Sequence, residues 1–431
     1  MIIIDEKLKE LEKNNKPIRV GLVGAGFAGR GLAMQLLRHI KGMRLVAISN
    51  RTASYGYQAY TDVGIAQNEV HTASDAKELA RLIGENKYIL TDNPYLLCES
   101  PDIDVIVEAT GEVEFGANVA MGAIKNKKHI VLLNAELDST LGPILNEYAK
   151  KAGIIYTQAD GDQPGVLMNL YRYVKFLGFK PVMAGNIKSL LDARRTPETQ
   201  KGFAEKNFQR PKMITSFADG TKISMEMATV ANATGFKVGK RGMYGPKATS
   251  VNDAKELFSL DELMKGGLVD YILGAEPSFG VFILGYTDDE LKKRYMKIYK
   301  MGDGPLYVFY TPYHLSPIEA PLSIARAVLF GDACLKPIGG LVTEVITIAK
   351  RDLKTGEILD GIGGFTCYGT MENHETARKE NLLPMGLSEG CVLKRDLPMD
   401  AAIAFDDVII PNNRLSDKLW KEQSEVFRSS N

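Results

Sequence analysis

The chain has 431 residues, enough for two or three domains, because one domain usually takes about 100–200 residues. Its 53 Lys and Arg residues balance 53 Asp and Glu residues, so the formal charge is zero and a broad basic surface for nucleic acid is excluded. The 45% hydrophobic and 25% charged fractions are typical of a soluble globular protein. No apolar run reaches the roughly 18 residues that a membrane-spanning helix needs.

The cysteines and the first residues indicate a reducing compartment. The cysteines are far apart in the chain and form no C-x-x-C motif: Cys98, Cys334, Cys367 and Cys391. Reduced, packed thiols are therefore expected rather than disulfides or a zinc site. Residues 1–16 are charged and lack a signal-peptide core, and they predict a short amphipathic helix with Leu8 and Leu11 on one face. The expected location is the cytoplasm.

A glycine-rich turn follows the first apolar segment. Residues 18–23 (IRVGLV) predict a strand, residues 30–37 predict a helix, and G-x-G-x-x-G lies between them. Gly24 permits the tight turn, Gly26 lets a pyrophosphate approach the backbone, and Gly29 lets helix and strand pack closely. The sequence therefore predicts a dinucleotide site, with Phe27 and Ala28 completing the loop.

The end of the second predicted strand favours NADP(H) as the cofactor. A carboxylate at this place pairs with the ribose 2′-hydroxyl of NAD, but the chain has Asn50 and Arg51 instead. Arg51 can pair with a 2′-phosphate. The alternative is that Arg51 is a solvated surface residue and the cofactor is NAD.

Alternating strands and helices continue to about residue 160 and predict a doubly wound parallel α/β sheet. Ligands bind beyond the carboxyl ends of such strands. Further candidate residues at those ends are Thr110, Gly111, Asn134, Glu136 and Asp160, although each could equally be a turn or capping residue. Residues 52–100 are interpreted as an insertion with a helix over 75–86 and loop elsewhere.

The middle of the chain predicts a second, substrate-binding domain. Asp160, a candidate catalytic residue, and Asp162 lie in the passage into it, and a strand over residues 180–188 leads to a polar loop. Lys188 is a candidate proton donor or oxyanion stabiliser for carbonyl reduction, and otherwise an exposed lysine in a salt bridge. The candidates for binding an anionic or hydroxylated substrate are Asp162, Asn186, Arg194, Arg195 and Lys201.

Two further acid–base candidates lie later in the chain. Glu226 is on a predicted helix and could enter the pocket or simply be solvated. Together with Asp160 and Asp162 it could hold a divalent metal such as Mg²⁺ or Mn²⁺ through oxygen ligands, although no spacing demonstrates such a site. His314, with Glu319 nearby, could act as an acid–base pair or be a packed histidine.

From Val345 onward the pattern changes to short strands and glycine turns. A phrase Lys-Arg-Asp-Leu occurs at 350–353 and again at 394–397, an imperfect short repeat. The pattern predicts a small all-β domain rather than more of the parallel sheet.

Three stretches carry a family resemblance. They are VGLVGAGFAGRG, the middle phrases AGNIKSLLDARRTPETQKGFA and FADGTKISMEMATVANATGF, and the ending AKRDLKTGEILD with LKRDLPMDAAIAFDDV. The first and middle parts resemble homoserine-dehydrogenase-like oxidoreductases. The whole chain more closely resembles 1-deoxy-D-xylulose 5-phosphate reductoisomerase-like enzymes that carry a C-terminal SAF domain, of the antifreeze-like β-clip class.

The resemblance implies an NADPH-dependent, homodimeric enzyme. Its implied domains are a leader helix (1–16), a Rossmann NADP-binding domain (17–160), an α+β substrate and dimerisation domain (161–340) and a SAF-like domain (341–431). The implied reaction is reduction of a small phosphorylated or polyhydroxylated carbonyl compound, with no nucleic acid or membrane partner.

Two alternatives stay open. The first is a homoserine-like dehydrogenase of a hydroxy acid or amino-acid precursor. Homoserine dehydrogenases have Asn-Lys where this chain has Asn134-Ala135-Glu136, which departs from their proton-transfer lysine. The second is a cofactor-sensing or carbohydrate-binding protein without turnover.

Overall fold

A computed structural model describes residues 2–427. The chain divides into two compact units. The first takes the chain up to Asp162 together with Leu315–Lys336 and Lys418–Val426, and the second takes Gln163–His314 and Pro337–Asp417. This division differs from the predicted domain boundaries, because 315–336 joins the first unit and most of the tail joins the second.

The first unit alternates strands with helices. Its strands are β1 Ile18–Val23, β2 Met43–Ser49, β3 Val70–Thr72, β4 Tyr88–Thr91, β5 Val105–Glu108, β6 His129–Leu132 and β7 Tyr156–Gln158. Its helices are α1 Ile2–Lys13, α2 Phe27–Arg38, α3 Ala53–Thr61, α4 Ala76–Gly84, α5 Pro94–Glu99, α6 Val113–Lys125, α7 Ala135–Ala152 and α15 Ser316–Phe330, with most of α17 Leu415–Val426.

These strands form one parallel sheet in the order β3-β4-β2-β1-β5-β6-β7. The predicted doubly wound Rossmann sheet is confirmed. The strand order reverses at β1, which lies between β2 and β5, and dinucleotides bind at such a switch point. The strands read as nearly continuous apolar runs because helices cover both faces.

Residues 52–100 differ from their predicted conformation. They contribute two strands, β3 and β4, which extend the sheet beyond β2, where only loop was predicted around one helix. Both strands are short, and β3 has only one buried residue, so neither leaves an apolar run long enough to recognise.

The predicted leader helix is confirmed. Leu8 and Leu11 of α1 pack against the core of the first unit. All four cysteines are buried, and none of them forms a disulfide within residues 2–427. Over the described part of the chain, no helix combines the length and the apolar character needed to cross a membrane.

The second unit is a mixed α/β structure. Its strands are β8 Lys180–Lys188, β9 Leu268–Leu273, β10 Gly280–Tyr286, β11 Leu306–Thr311, β12 Thr343–Ala349, β13 Cys367–Asn373, β14 Val392–Leu393 and β15 Val408–Ile409. Its helices are α8 Gln163–Phe176, α9 Pro197–Lys206, α10 Pro211–Ala218, α11 Thr221–Thr234, α12 Ala254–Leu257, α13 Leu260–Met264, α14 Glu290–Ile298 and α16 His374–Lys379.

The main sheet of this unit has the order β11-β10-β8-β9, and its two faces carry different helices. On one face Met183, Ile187 and Phe282 join a core that includes residues of α12 and α13. On the other face α8 covers β8 and β10. The sheet is therefore buried on both sides.

The tail, predicted to be all-β, contains the strands β12 to β15 but also the helix α16 and the start of α17, so it is not all-β. The repeated phrases pair with each other: Leu353 donates its N–H to the Leu397 carbonyl at 2.9 Å and accepts from the Leu397 N–H at 3.0 Å. Asp396 accepts a hydrogen bond from Thr355 N and Asp352 accepts one from Met399 N, each donor lying two residues beyond the opposite phrase. The sequence repeat thus corresponds to a local two-fold relationship between the phrases.

Candidate cofactor and substrate sites

The three glycines of the loop after β1 have three different surroundings. Gly24 has φ +100, a backbone conformation that favours glycine. A Cβ at this position would lie 2.7 Å from the carbonyl oxygen of Ala109, the residue that follows β5. A Cβ on Gly29 would collide with the Gly24 carbonyl oxygen. At Gly26, by contrast, a Cβ would meet nothing within 4 Å. Two glycines close the turn, and the third leaves open space above it.

The N-terminus of α2 faces this loop without a capping side chain. Gly26 is the N-cap residue, no acidic residue lies in the first turn, and the first intrahelical bond runs from Arg30 N to Gly26 O at 2.9 Å. The N–H groups of the first turn, including Phe27 and Ala28, have no intrahelical acceptor. An uncapped positive helix end above an open glycine fits the pyrophosphate of a dinucleotide.

Asn50 supports the loop from the end of β2. Its Oδ1 accepts a hydrogen bond from Ala25 N at 2.9 Å, and its Nδ2 donates to Thr52 O at 2.7 Å. The side chain that replaces the NAD-type carboxylate therefore holds the glycine turn in place. Its direct contact with the cofactor stays a prediction.

Arg51 reaches from β2 to the loop after β5. Its guanidinium lies 3.4 Å from Glu112 Oε1, and the Arg51 side chain is 77% exposed. Because β1 lies between β2 and β5, this ion pair links the two strand ends that flank the glycine turn. The Arg51 guanidinium is accessible to a phosphate group, and the Glu112 carboxylate would compete with that phosphate for it.

Glu108, the last residue of β5, is a buried carboxylate at the switch point. It accepts hydrogen bonds from Thr110 N at 2.9 Å, from the Thr110 hydroxyl and from Asn134 Nδ2 at 2.6 Å. Burial raises the pKa of Glu108 to about 7 despite these donors, and the charge of Glu136 makes a smaller contribution in the same direction. Glu108 thus anchors Thr110, while the predicted contacts of Thr110 and Gly111 with the cofactor stay predictions.

Asn134 is the N-cap of α7. Its Oδ1 accepts from Leu137 N at 3.0 Å while its Nδ2 donates to Glu108 and to the Glu112 carbonyl. Both polar atoms of its carboxamide are engaged within the protein, and its contact with the cofactor stays a prediction. Glu136, two residues on, is buried in the first turn of α7.

A second buried carboxylate, Asp138, continues the polar cluster beneath β7. Tyr156 donates its hydroxyl proton to Asp138 Oδ1 at 2.8 Å, and the Gln158 side chain also donates to it. Burial raises the pKa of Asp138 to about 6. Gln158 Nε2 also reaches the Asn134 carbonyl at 3.3 Å, which connects Asp138 with Asn134.

Asp160 is engaged in a structural ion pair. Arg326 Nη1 on α15 donates to Asp160 Oδ1 at 2.9 Å, and Ser323 Oγ donates to Asp160 Oδ2 at 2.6 Å. The predicted catalytic aspartate is therefore the residue that fastens α15 to the end of β7. Its carboxylate is buried and has strong partners that a reacting group would have to displace.

The predicted metal ligands are not gathered into a site. Asp162 accepts a hydrogen bond from Ser316 Oγ at 3.3 Å, Asp160 is paired with Arg326, and Glu226 is buried in α11. Across residues 2–427, no group of three or more His, Cys, Asp or Glu side chains could hold a metal ion. The residues present do not fit the predicted ion, and no reaction step is assigned to one.

Asn186 and Lys188 lie on one face of β8 in the second unit. Successive residues of a strand alternate between faces, so positions 186 and 188 share a side. Asn186 is 2% exposed, and its Nδ2 has no hydrogen-bond partner. The Lys188 ammonium has no ion-pair partner among residues 2–427. These two predicted residues are available for a ligand.

The remaining acid–base candidate in this unit is His314. Its ring lies against Phe279, with centroids 4.3 Å apart, which corresponds to the packed alternative. Glu319, its predicted partner, belongs to the first unit. Burial raises the pKa of the Glu319 carboxyl group.

The predicted basic substrate cluster is largely neutralised. Arg194 donates to Asp400 at 2.5 Å and to the Lys350 carbonyl at 2.8 Å, and Arg195 lies 3.0 Å from Asp192. Lys201 is exposed on α9. Arg194 thus attaches the 188–201 segment to the rest of its unit, and substrate binding by these residues stays a prediction.

The structure also shows buried polar residues that the sequence did not single out. They are Glu108, Asp138, Gln163, Asp219 and Lys350, together with the partly buried Arg326. The one local signal was Glu108, a charged residue that ends an apolar strand. For the others the partner lies far away in sequence, so no local pattern marks them.

The comparisons with known proteins follow this division of the chain. Residues 24–158 match the family model described as Homoserine dehydrogenase, NAD binding domain. Residues 161–320 match the model described as Oxidoreductase DRL, catalytic domain. The chain is thus similar, over two successive parts, to an NAD-binding domain and to an oxidoreductase catalytic domain.

Curated relatives match over a limited part of their length. The chain is 30% identical over 145 residues to a homoserine dehydrogenase of Bacillus subtilis, covering 33% of this chain and 30% of that protein. It is 29% identical over 141 residues to a homoserine dehydrogenase of Neisseria gonorrhoeae, covering 32% and 28%. The chain therefore spans less than a third of each of these relatives.

Solved structures are similar at lower identity. A homoserine dehydrogenase from Thiobacillus denitrificans has a TM-score of 0.44 and 13% identity, covering 89% of this chain and 98% of that one. A probable dehydrogenase from Thermotoga maritima has a TM-score of 0.41 and 16% identity, covering 73% and 90%.

Proposed function

We propose that the chain is an NADP(H)-dependent oxidoreductase that interconverts an alcohol and a carbonyl group on a small hydroxylated, anionic compound. The observation that carries the dinucleotide part is the uncapped N-terminus of α2 above Gly26, whose open space a phosphate would fill. A bound nicotinamide exchanges a hydride with the substrate carbon. Arg51, exposed at the end of β2, supports the choice of NADP over NAD.

Lys188 is the proton donor to the substrate oxygen in this proposal. Its ammonium has no ion-pair partner among the described residues and lies at the carboxyl end of β8, beside Asn186. In the reduction direction an ammonium N–H stabilises the negative charge that develops on the carbonyl oxygen and then transfers its proton. In the oxidation direction the neutral amine accepts that proton.

Two substrate classes are supported by different observations. The match of 24–158 and the curated relatives favours a hydroxylated amino-acid precursor of the homoserine type. Ala135 favours a sugar-derived carbonyl compound such as 1-deoxy-D-xylulose 5-phosphate, because it leaves no amine at the position of the homoserine dehydrogenase lysine. Residues 161–320 match a model described as Oxidoreductase DRL, catalytic domain, a description that names no substrate.

The tail completes the proposal. The two Lys-Arg-Asp-Leu phrases, paired about Leu353 and Leu397, are consistent with a SAF-type β-clip module. Its assignment as SAF-like rests on this symmetry and on the sequence resemblance.

A coupled substrate panel tests the proposal. Purified full-length protein is given NADPH with deoxyxylulose phosphate, with and without Mg²⁺ or Mn²⁺, and separately NADP⁺ with L-homoserine and other hydroxy acids. We expect turnover in one panel, with loss of kcat in Lys188→Ala but not in Lys180→Ala, an exposed lysine at the opposite end of the same strand. NADPH binding without turnover in either panel would instead support a cofactor-sensing protein.

A further inference from the structure

Two buried carboxamides in the second unit have polar atoms without partners. Gln163, the first residue of α8, is fully buried; its Nε2 donates to the Met227 sulfur at 3.2 Å, while its Oε1 has no hydrogen-bond partner. Asn186 on β8 is 2% exposed, and its Nδ2 has none. A thioether is a weak acceptor, so Gln163 is poorly satisfied on both sides.

These two residues lie at the same end of the unit. α8 runs from Gln163 to Phe176, and β8 returns along it from Lys180 to Lys188 after a short turn. The start of α8 is therefore next to the end of β8. Asn186 is two residues from that end.

Asn186 also lies on the face of the sheet that α8 covers. A Cβ on Gly285 of β10 would lie 3.0 Å from Val174 of α8, so Gly285 is on the α8 side. Alternation along β10 puts Val281 on the same side, and Val281 pairs with Asn186 in the antiparallel register. Asn186, like Lys188, therefore lies on the side where α8 begins.

An unpaired buried polar group costs folding free energy, and native proteins hold few of them. Here one group is an acceptor that lacks a donor, Gln163 Oε1, and the other is a donor that lacks an acceptor, Asn186 Nδ2. A hydroxyl group can supply both, because it carries one O–H donor and two acceptor lone pairs. A carboxylate or phosphate alone would leave Gln163 Oε1 without a donor.

We propose that Gln163 and Asn186 are substrate-specificity residues that bind a hydroxyl-bearing part of the substrate next to Lys188. This inference rests on the proposed function, because it places substrate at the carboxyl end of β8. It goes further in the substrate class: the substrate must bring at least one hydroxyl donor for Gln163 and one oxygen acceptor for Asn186. Sites built this way strongly reject an analogue that lacks the hydroxyl.

The first test needs no substrate. Gln163→Met and Asn186→Leu replace each carboxamide by an apolar side chain of similar volume. If the carboxamides serve a ligand, the ligand-free variants keep or raise the thermal midpoint, since each loses an unpaired polar group. Asn232→Leu is the control, because its carboxamide accepts from Val342 N and Thr343 N, and it should lower the midpoint clearly. A comparable fall in Gln163→Met and Asn186→Leu would overturn the proposal.

The second test uses deoxyxylulose phosphate and L-homoserine as probes. With whichever probe the wild type turns over, each variant should lose about tenfold or more in kcat/KM, while the dissociation constant of NADPH stays unchanged. Unchanged kcat/KM would overturn the inference and would indicate that buried water satisfies the two carboxamides. If the wild type turns over neither probe, the proposed function fails on that assay, whereas the ligand-free thermal midpoints still decide the role of the two residues.

Discussion

The Glu108 carboxylate accepts a 2.6 Å hydrogen bond from the Asn134 carboxamide, and this contact joins the ends of β5 and β6 beneath the glycine turn. Glu108 also holds both polar groups of Thr110, and Asn134 caps α7. The cofactor loops are thus positioned by a buried acid rather than by surface charges. Because burial raises the pKa of Glu108 to about 7, this carboxyl group gains or loses its proton near neutral pH.

Glu108→Gln is expected to flatten the dependence of stability on pH. The pKa of Glu108 is raised from 4.5 to about 7 in the folded chain, so the native state binds more protons than the unfolded state between these values. The free energy of unfolding of the wild type therefore falls as pH rises through this window, by on the order of 3 kcal/mol from this group. Urea unfolding at several pH values, followed by the fluorescence of the single tryptophan, measures this free energy.

The glutamine variant should lack that part of the slope, and an identical slope in both proteins would contradict the assignment. Asn134→Asp provides a paired control. In Glu108→Gln alone, two amide N–H₂ groups would face each other at the 2.6 Å contact. The double variant restores a donor facing an acceptor, so we expect it to be more stable than the sum of the single changes predicts.

Gly26→Ala and Gly29→Ala should separate cofactor binding from folding. A Cβ on Gly26 meets nothing within 4 Å, so the thermal midpoint should stay close to that of wild type while NADPH affinity falls about tenfold or more, because the methyl group occupies the space of the phosphates. A Cβ on Gly29 collides with the Gly24 carbonyl oxygen, so Gly29→Ala should unfold at a clearly lower temperature. Fluorescence titration with NADPH and thermal melts of both variants give the comparison. Intact NADPH binding in Gly26→Ala would count against the pyrophosphate site.

Arg51→Ala should raise the KM for NADPH by about tenfold while leaving the KM for NADH nearly unchanged, because one charge-assisted contact to a 2′-phosphate is lost. Glu112→Gln tests the competitor, since Glu112 Oε1 lies 3.4 Å from the Arg51 guanidinium. Freed from this carboxylate, Arg51 should bind NADPH at least as tightly as in the wild type. Equal effects of Arg51→Ala on the two cofactors would remove the NADP assignment.

The sequence predicted those features that depend on local pattern. The glycine turn and the strand–helix alternation are local, because strand period, turn glycines and helix length are written in neighbouring residues. The site chemistry was harder to predict because it depends on distant partners. From sequence alone Asp160 is a candidate catalytic acid, but in the structure Ser323 and Arg326 of α15 donate hydrogen bonds to its two carboxylate oxygens. Arg194 reads as a substrate ligand until Asp400 is placed beside it.

Lys350 and Lys394 occupy the same position in the two Lys-Arg-Asp-Leu phrases, and their substitution should have opposite consequences. The Lys350 ammonium is buried and donates to Asp219 Oδ2 and to the carbonyls of Arg195 and Gly364, each at 2.8–2.9 Å, whereas Lys394 is exposed. Lys350→Met leaves the Asp219 carboxylate buried without its counter-ion and should lower the free energy of unfolding by about 3–5 kcal/mol. Lys394→Met should change it by no more than about 0.5 kcal/mol.

The double variant Lys350→Met with Asp219→Asn removes both charges and leaves no buried carboxylate without a counter-ion. It should therefore be less destabilising than Lys350→Met alone, as measured by urea unfolding. A larger loss in the double variant would contradict the buried ion pair.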